Sequence, residues 1–230
     1  MRVYHESKMK KYESFIRDIL NSTVARINWD KLEQKNQLFT EKIMELFKTE
    51  NSLGWSFYCS CLDTLSDSNI AITSFANNKF ELCGKIPNGQ HYLLIYGILS
   101  AVYINQGAII TLTDLVKIKT NELDSAFKST KISFLRKALA AHPTDFMSND
   151  QKVNFKMVRN SIGFEDKIQV VNSKTQTESH NITEAINEYI YLAENTLEQV
   201  CRKILKIRYK ANNEKQNELV LKLNEISHGQ

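Results

Sequence analysis

The sequence predicts an all-α helical bundle with extra N-terminal helices and a small β-hairpin insertion. Three observations predict it. Turn formers are scarce, because 230 residues hold only two prolines and seven glycines. A many-stranded sandwich or barrel needs turn chemistry about every 8–12 residues, so those folds are excluded. Apolar residues recur at spacings of three and four along most of the chain, the period of a helix with one buried face. Finally, 42% hydrophobic against 24% charged residues is the balance of a globular chain with a real core.

The elements follow in order. Residues 8–27 carry Tyr12, Phe15, Ile16, Ile19 and Leu20 on one stripe, and residues 30–50 carry Leu32, Phe39, Ile43, Leu46 and Phe47. Residues 53–77 form a third helical stretch with Trp55, Phe57, Tyr58, Leu62 and Leu65. Pro87 and Gly89 mark a loop over residues 85–89. Residues 90–118 form the most apolar helix, with a break suggested at Gly107. Its uncharged run Tyr92–Ile104 is about 13 residues, short of the roughly 20 a membrane span needs, so a buried core helix is expected. Residues 131–141 make a shorter helix stopped by Pro143.

The stretch 167–178 breaks the helical period. Ile168, Val170 and Val171, then Thr175 and Thr177, predict a small β hairpin. The last long helix starts near Asn181–Thr183, with Glu184 completing a capping arrangement. Its seam is Ile186, Ile190, Ala193, Leu197, Val200, Ile204, Ile207 and Ala211, a heptad pattern. That seam fits a bundle helix packed on its own chain or an intermolecular coiled coil. Residues 210–230 are polar and lysine-rich, so a fraying helical tail is expected. The organisation that follows is a helical extension over 1–50 packing on the bundle, the bundle over 51–210, and the tail over 211–230.

Most sequence signatures of chemistry are absent. No phosphate-cradling GxxxxGK[ST], no GxGxxG and no GxSxG occurs. Cys59, Cys61, Cys83 and Cys201 form no CxxC or Cys/His cluster, so no metal ligand set and no cofactor is expected. Cys59 and Cys61 read as buried thiols in a reducing compartment. Asp63 and Asp67, four apart, fit a paired-carboxylate site or, more economically, a solvated helix face. His5, His91, His180 and His228 read as surface or loop residues. The polar, basic segment Met1–Lys11 is not a secretory signal. A soluble, cytoplasmic protein without a membrane partner is expected.

One segment remains, Phe134 to Thr144 (FLRKALAAHPT). Pro143 pushes the residue before it out of the α region, so His142 stands at a helix exit, open to solvent or substrate. The carbonyl end of a helix favours its protonated form, and a group with an intrinsic pKa near 6.5 suits proton transfer. Arg136 lies six positions upstream. From Lys128 to Arg159, seven basic residues meet two acidic ones, +5 in 32 residues against +4 for the whole chain. Focused positive charge makes a polyanion such as RNA the natural partner.

The Arg136–His142 pair resembles the Arg-x4-6-His motif of HEPN domains, small helical bundles that include RNA-cleaving toxins and phage-defence proteins. RKALAAHPT is similar to the GHPT form of some bacterial members, and YLLIYGILSAVYINQGA (Tyr92–Ala108) resembles the apolar helix preceding the motif. FKMVRNSIGF (Phe155–Phe164) and the hairpin stretch also have counterparts, so the resemblance covers roughly Ser52–Leu205. It implies metal-independent RNA cleavage to a 2′,3′-cyclic phosphate by a homodimer whose Arg/His sites meet at the interface. It implies His142 as acid or base and Arg136 as the phosphate-stabilising cation. Lys137, Thr144, Lys131, Arg159 and Asn160 are expected to bind or support RNA, and an antitoxin or regulatory protein is an expected partner. Lys137 stands where the family usually places asparagine, and lysine cannot accept a hydrogen bond. A catalytically inactive RNA- or protein-binding module is therefore the alternative, and a purely structural helical protein the third reading.

Overall fold

The computed structural model describes residues 6–35, 37–50, 53–78, 88–141, 143–144, 146–148, 151–158 and 166–229. It is mostly helical, with two small sheets. The chain divides into two compact units, one of residues 1–66, 107–120 and 193–230, the other of residues 67–106 and 121–192. Helices α4 (Gly54–Asn78), α5 (Asn88–Leu115) and α8 (Ile182–Arg208) contribute residues to both.

In the first unit, α1 (Lys8–Val24) starts where Ser7 Oγ accepts the Lys10 amide. Its buried stripe holds the expected Tyr12, Phe15, Ile16, Ile19 and Leu20. Glu13 shares that face and its side chain is 1% exposed, held by Lys10 Nζ at 2.5 Å and Arg17 Nε at 2.6 Å. A carboxylate is tolerated there because both cations neutralise it. The single helix expected over 30–50 is instead α2 (Trp29–Gln34) and α3 (Phe39–Phe47). The cause lies at Leu38, whose backbone is extended and whose amide donates to Glu41 Oε2 at 3.1 Å. That contact makes a helix start where the apolar period alone runs on.

Residues 213–228 form the expected helix, α9 (Asn213–His228), but it is packed instead of fraying. Leu223 is fully buried, Lys8 Nζ donates to the Ser227 carbonyl at 2.9 Å, and Arg202 donates to Asn224 Oδ1 at 2.9 Å. A composition of lysine, glutamate and asparagine concealed one apolar contact and a row of polar partners. The α8 seam is buried at Ala193, Leu197, Val200 and Ile204. It ends before Ala211, which is exposed beyond the helix.

Helix α5, whose residues up to Gln106 belong to the second unit, continues through Gly107 without the suggested break. The helix is longer than the Tyr92–Ile104 run suggested. By length and composition Gly89–Leu115 could cross a membrane, and 44% of its apolar window is buried. The loop expected over 85–89 lies mostly outside the described residues, and Gly89 is helical. Helix α6 (Asn121–Ser129), which periodicity did not single out, has Glu122 and Asp124 in its first turn and Lys128 in its last, the polarity that suits a helix dipole. Thr130 Oγ1 caps α7 (Lys131–Arg136) by accepting the Ser133 amide. A five-residue π-helical turn, Lys137–Ala141, continues it.

Five short strands follow. β1 (Phe146–Ser148) pairs antiparallel with β2 (Gln151–Val153). β3 (Phe155–Met157), β4 (Lys167–Asn172) and β5 (Thr177–Asn181) form an antiparallel sheet in that order. The expected hairpin is β4–β5. It turns without glycine, because Asn172 Oδ1 accepts the amides of Lys174 and Gln176 and Thr175 takes a φ of 60°. Asn181 then caps α8, its Oδ1 accepting the Glu184 amide at 3.1 Å.

Several single-residue readings change. His91 is buried on α5, and His180 is half-buried on β5, whereas His228 is exposed; His5 lies outside the described residues. Cys59 is half-buried, unlike the buried Cys61 and Cys201, and Cys83 lies outside the described residues. Asp63 and Asp67 are both exposed, and Asp63 pairs with Arg17 at 3.0 Å.

Candidate nucleic-acid interface

The second unit holds a small open cleft of about 70 Å³. α5 supplies Val102, Tyr103 and Gln106 to it. α6 supplies Lys128, α7 supplies Ile132, Ser133 and Arg136, and the π turn supplies Lys137. Tyr103 and Gln106, three apart, share one side of α5. The π turn follows directly on α7, so Arg136 and Lys137 straddle a change of helical hydrogen bonding. Such one-turn widenings recur at functional sites.

Arg136 is half-buried, and its guanidinium carbon sits 3.4 Å from the centroid of the Tyr103 ring. A guanidinium this close over a ring face is held by cation–π attraction, which spends none of its N–H donors. Among the described residues no carboxylate lies within ion-pairing distance of Arg136 or Lys137. Lys128 is paired with Asp124 on its own helix. Ser133 spends its hydroxyl proton on the Phe127 carbonyl at 2.7 Å. Gln106 is 8% exposed, and its amide makes no hydrogen bond among the described residues. The cleft therefore offers two uncompensated cations, an aromatic face and one neutral amide.

The floor beneath it is tied down. Asn105, fully buried, accepts the Tyr189 hydroxyl at 2.7 Å and donates to Ser68 Oγ at 2.9 Å. Burial holds the Tyr189 hydroxyl well above its usual range. At the far end of the π turn, the Pro143 carbonyl accepts the Phe155 amide at 2.8 Å. Phe134 of α7 packs on Phe146, Phe155 and His180 with centroids 5.8, 5.6 and 5.4 Å away. The strands thus hold the helix exit in place.

The expected site residues divide accordingly. Arg136 and Lys137 come together on the cleft. Lys131 lies elsewhere: its Nζ is 3.8 Å from Glu184 and its amide donates to Glu188, so neighbouring carboxylates compensate it. Thr144 is exposed in the turn after the π segment. His142, Arg159 and Asn160 lie outside the described residues. Sequence reasoning missed Tyr103 and Gln106. The available signal is the polar Asn105–Gln106 pair just past the uncharged run Tyr92–Ile104, which sits inside a 28-residue helix. Among the described residues no group of three His, Cys, Asp or Glu is placed to hold a metal. No protein-family model, no curated protein and no solved structure matches this chain.

Proposed function

We propose that this chain is a metal-independent endoribonuclease of the HEPN type, a cytoplasmic toxin or phage-defence effector that works as a homodimer. The observation that carries the reading is the pairing of Arg136 and Lys137 on one cleft with no carboxylate partner among the described residues. Uncompensated guanidinium and ammonium groups beside an aromatic ring are what a single-stranded RNA backbone requires.

In this reading a base takes the 2′-hydroxyl proton and O2′ bonds to phosphorus. The P–O5′ bond then breaks, an acid protonates O5′, and a 2′,3′-cyclic phosphate remains. His142, next in sequence after the last residue of the π turn, serves as acid or base. Arg136 stabilises charge on the phosphorane by bidentate contact. One histidine serves one side of the phosphate, so a second chain supplies the other. An antitoxin or regulatory protein restrains the activity.

The test uses wild type, His142→Ala and Arg136→Ala with single-stranded and structured RNA in EDTA. Cyclic-phosphate ends from the wild type alone support the proposal. RNA binding without cleavage by all three identifies an inactive binding module. A monomeric mass in light scattering at micromolar protein removes the dimer.

A further inference from the structure

The cleft contains one group that phosphate chemistry leaves unused. Gln106 is more than nine-tenths buried, yet it lines the cleft and its amide has no hydrogen-bond partner among the described residues. The residue is mostly covered, but its amide nitrogen and oxygen are not among the buried unpartnered atoms, so they are open to the cleft and available to a ligand. Its neighbours show the contrast. Asn105, the adjacent residue, is bonded through both its oxygen and its nitrogen, to Tyr189 and Ser68, and Ser133 across the cleft has spent its proton on Phe127. A carboxamide carries a donor and an acceptor side by side. A phosphate has only acceptors, so it leaves half of that pair unmet. A nucleobase edge meets both halves.

The other walls suit a base. Tyr103 is 51% exposed and lies one helical turn before Gln106 on α5. It is stacked by Arg136, so a ring and a guanidinium plane already stand within reach of the amide. Unstacked RNA bases are held by such planes and read on their edges by side-chain amides. The cleft is too small to swallow a whole base, which leaves its edge as the part that enters.

We propose that Gln106 is the base-reading residue of this RNA site and that it selects adenine. Every unpaired base carries a donor beside an acceptor on its Watson–Crick edge; adenine carries a second such pair on its N6/N7 edge, the established match for a bidentate glutamine, which favours it. The proposal rests on the RNA reading above. In it Arg136 and Lys137 hold the backbone of a single strand, and Gln106 reads the base next to the held phosphate.

The experiment measures binding of wild type, Gln106→Leu, Gln106→Glu and Arg136→Ala to fluorescent oligo(A), oligo(C) and oligo(U) at fixed low salt. Wild type binds oligo(A) about 10-fold or more tighter than the others, the scale of one good bidentate contact. Q106L binds all three alike, at the level wild type shows for the weaker strands. Q106E, which lacks the donor, also loses the adenine preference and serves if Q106L does not fold. Arg136→Ala weakens all three while keeping their order. A wild type without base preference, or a Q106L and Q106E that keep it, overturns the assignment while the RNA reading stands. Failure of wild type to bind any strand overturns the RNA reading itself, and the assignment with it.

Discussion

Tyr189→Phe isolates one buried hydrogen bond. The Tyr189 hydroxyl donates to Asn105 Oδ1 at 2.7 Å, and both residues are 0% exposed. The substitution deletes one oxygen and keeps the ring, which packs on Phe127 at 5.7 Å. No sizeable cavity opens, so the loss is the bond itself and the dry acceptor left on Asn105. A net bond is worth about 1 kcal/mol and an orphaned buried acceptor costs about 1–3 kcal/mol, so Y189F loses about 2 kcal/mol. At about 2–4 °C per kcal/mol for a chain of this size, Tm falls by about 4–8 °C. Asn105→Ala costs more, because it also breaks the bond to Ser68 and leaves a void. The double variant costs less than the two singles combined, since neither partner is then orphaned. Urea unfolding at constant m measures all three. A Y189F midpoint equal to wild type, or strict additivity, refutes the network.

Four further outcomes follow from the structure. Leu223→Ala in α9, where the leucine is fully buried, costs about 2–5 kcal/mol in urea unfolding; a tail that frays in solution gives no change. Burial pushes the Glu198 carboxyl up, but hydrogen bonds from Arg202, Ser227 and Tyr12 outweigh it and hold the group below its ordinary value of 4.5. Its stabilisation is therefore present above that value and lost as pH falls through the depressed one, so the Tm gap between wild type and Glu198→Gln closes on acidification; a gap constant with pH contradicts this. Burial pushes the Cys61 thiol up to about 11 despite a hydrogen bond from Thr111, and raises buried Cys201 further, so neither alkylates with iodoacetamide at pH 7.5 until urea unfolds the chain, as mass spectrometry reads. Arg136→Ala lowers the slope of log K against log salt for single-stranded RNA by about 0.7, one phosphate contact, whereas Tyr103→Leu weakens binding with the slope unchanged; equal slopes for both argue against phosphate at Arg136.

The helices were legible where apolar spacing and capping agree. α1, α4 and α8 announce themselves by stripes of residues at three and four, α5 by its uncharged apolar run, and Asn181 with Glu184 marks a start that the hydrogen bond at 3.1 Å realises. The misses share a cause, which is polar chemistry doing structural jobs that periodicity does not register. Leu38 restarts a helix through the Glu41 carboxylate, Asn172 turns a hairpin without glycine, and Ser227, Asn224 and Leu223 dock a helix of tail-like composition. β1 to β3 are three residues each, too short for alternation to show. At the site, the local charge excess led to Arg136 and Lys137, but charge cannot reveal pairing. Lys131 and Lys128 count equally in the sequence, and their neighbouring carboxylates become visible only in three dimensions.

Pairing is also what gives Arg136 its weight. Two other arginines of this chain meet carboxylates: Arg17 binds Glu13 and Asp63, and Arg202 binds Glu198 at 2.6 Å. Arg136 is half-buried, has Lys137 as its next residue, and among the described residues rests on the Tyr103 ring without a carboxylate. Such a stack contributes about 0.5–2 kcal/mol, against the desolvation of a cation and the repulsion of its neighbour. On the proposed reading, an anion in the cleft supplies the missing compensation, and a phosphate can do so by bidentate contact with the guanidinium. A salt bridge to the rest of the fold would have made Arg136 a structural residue. Its absence among the described residues is what the proposed RNA reading rests on, and the open amide of Gln106 in the same walls is what the proposed base preference rests on.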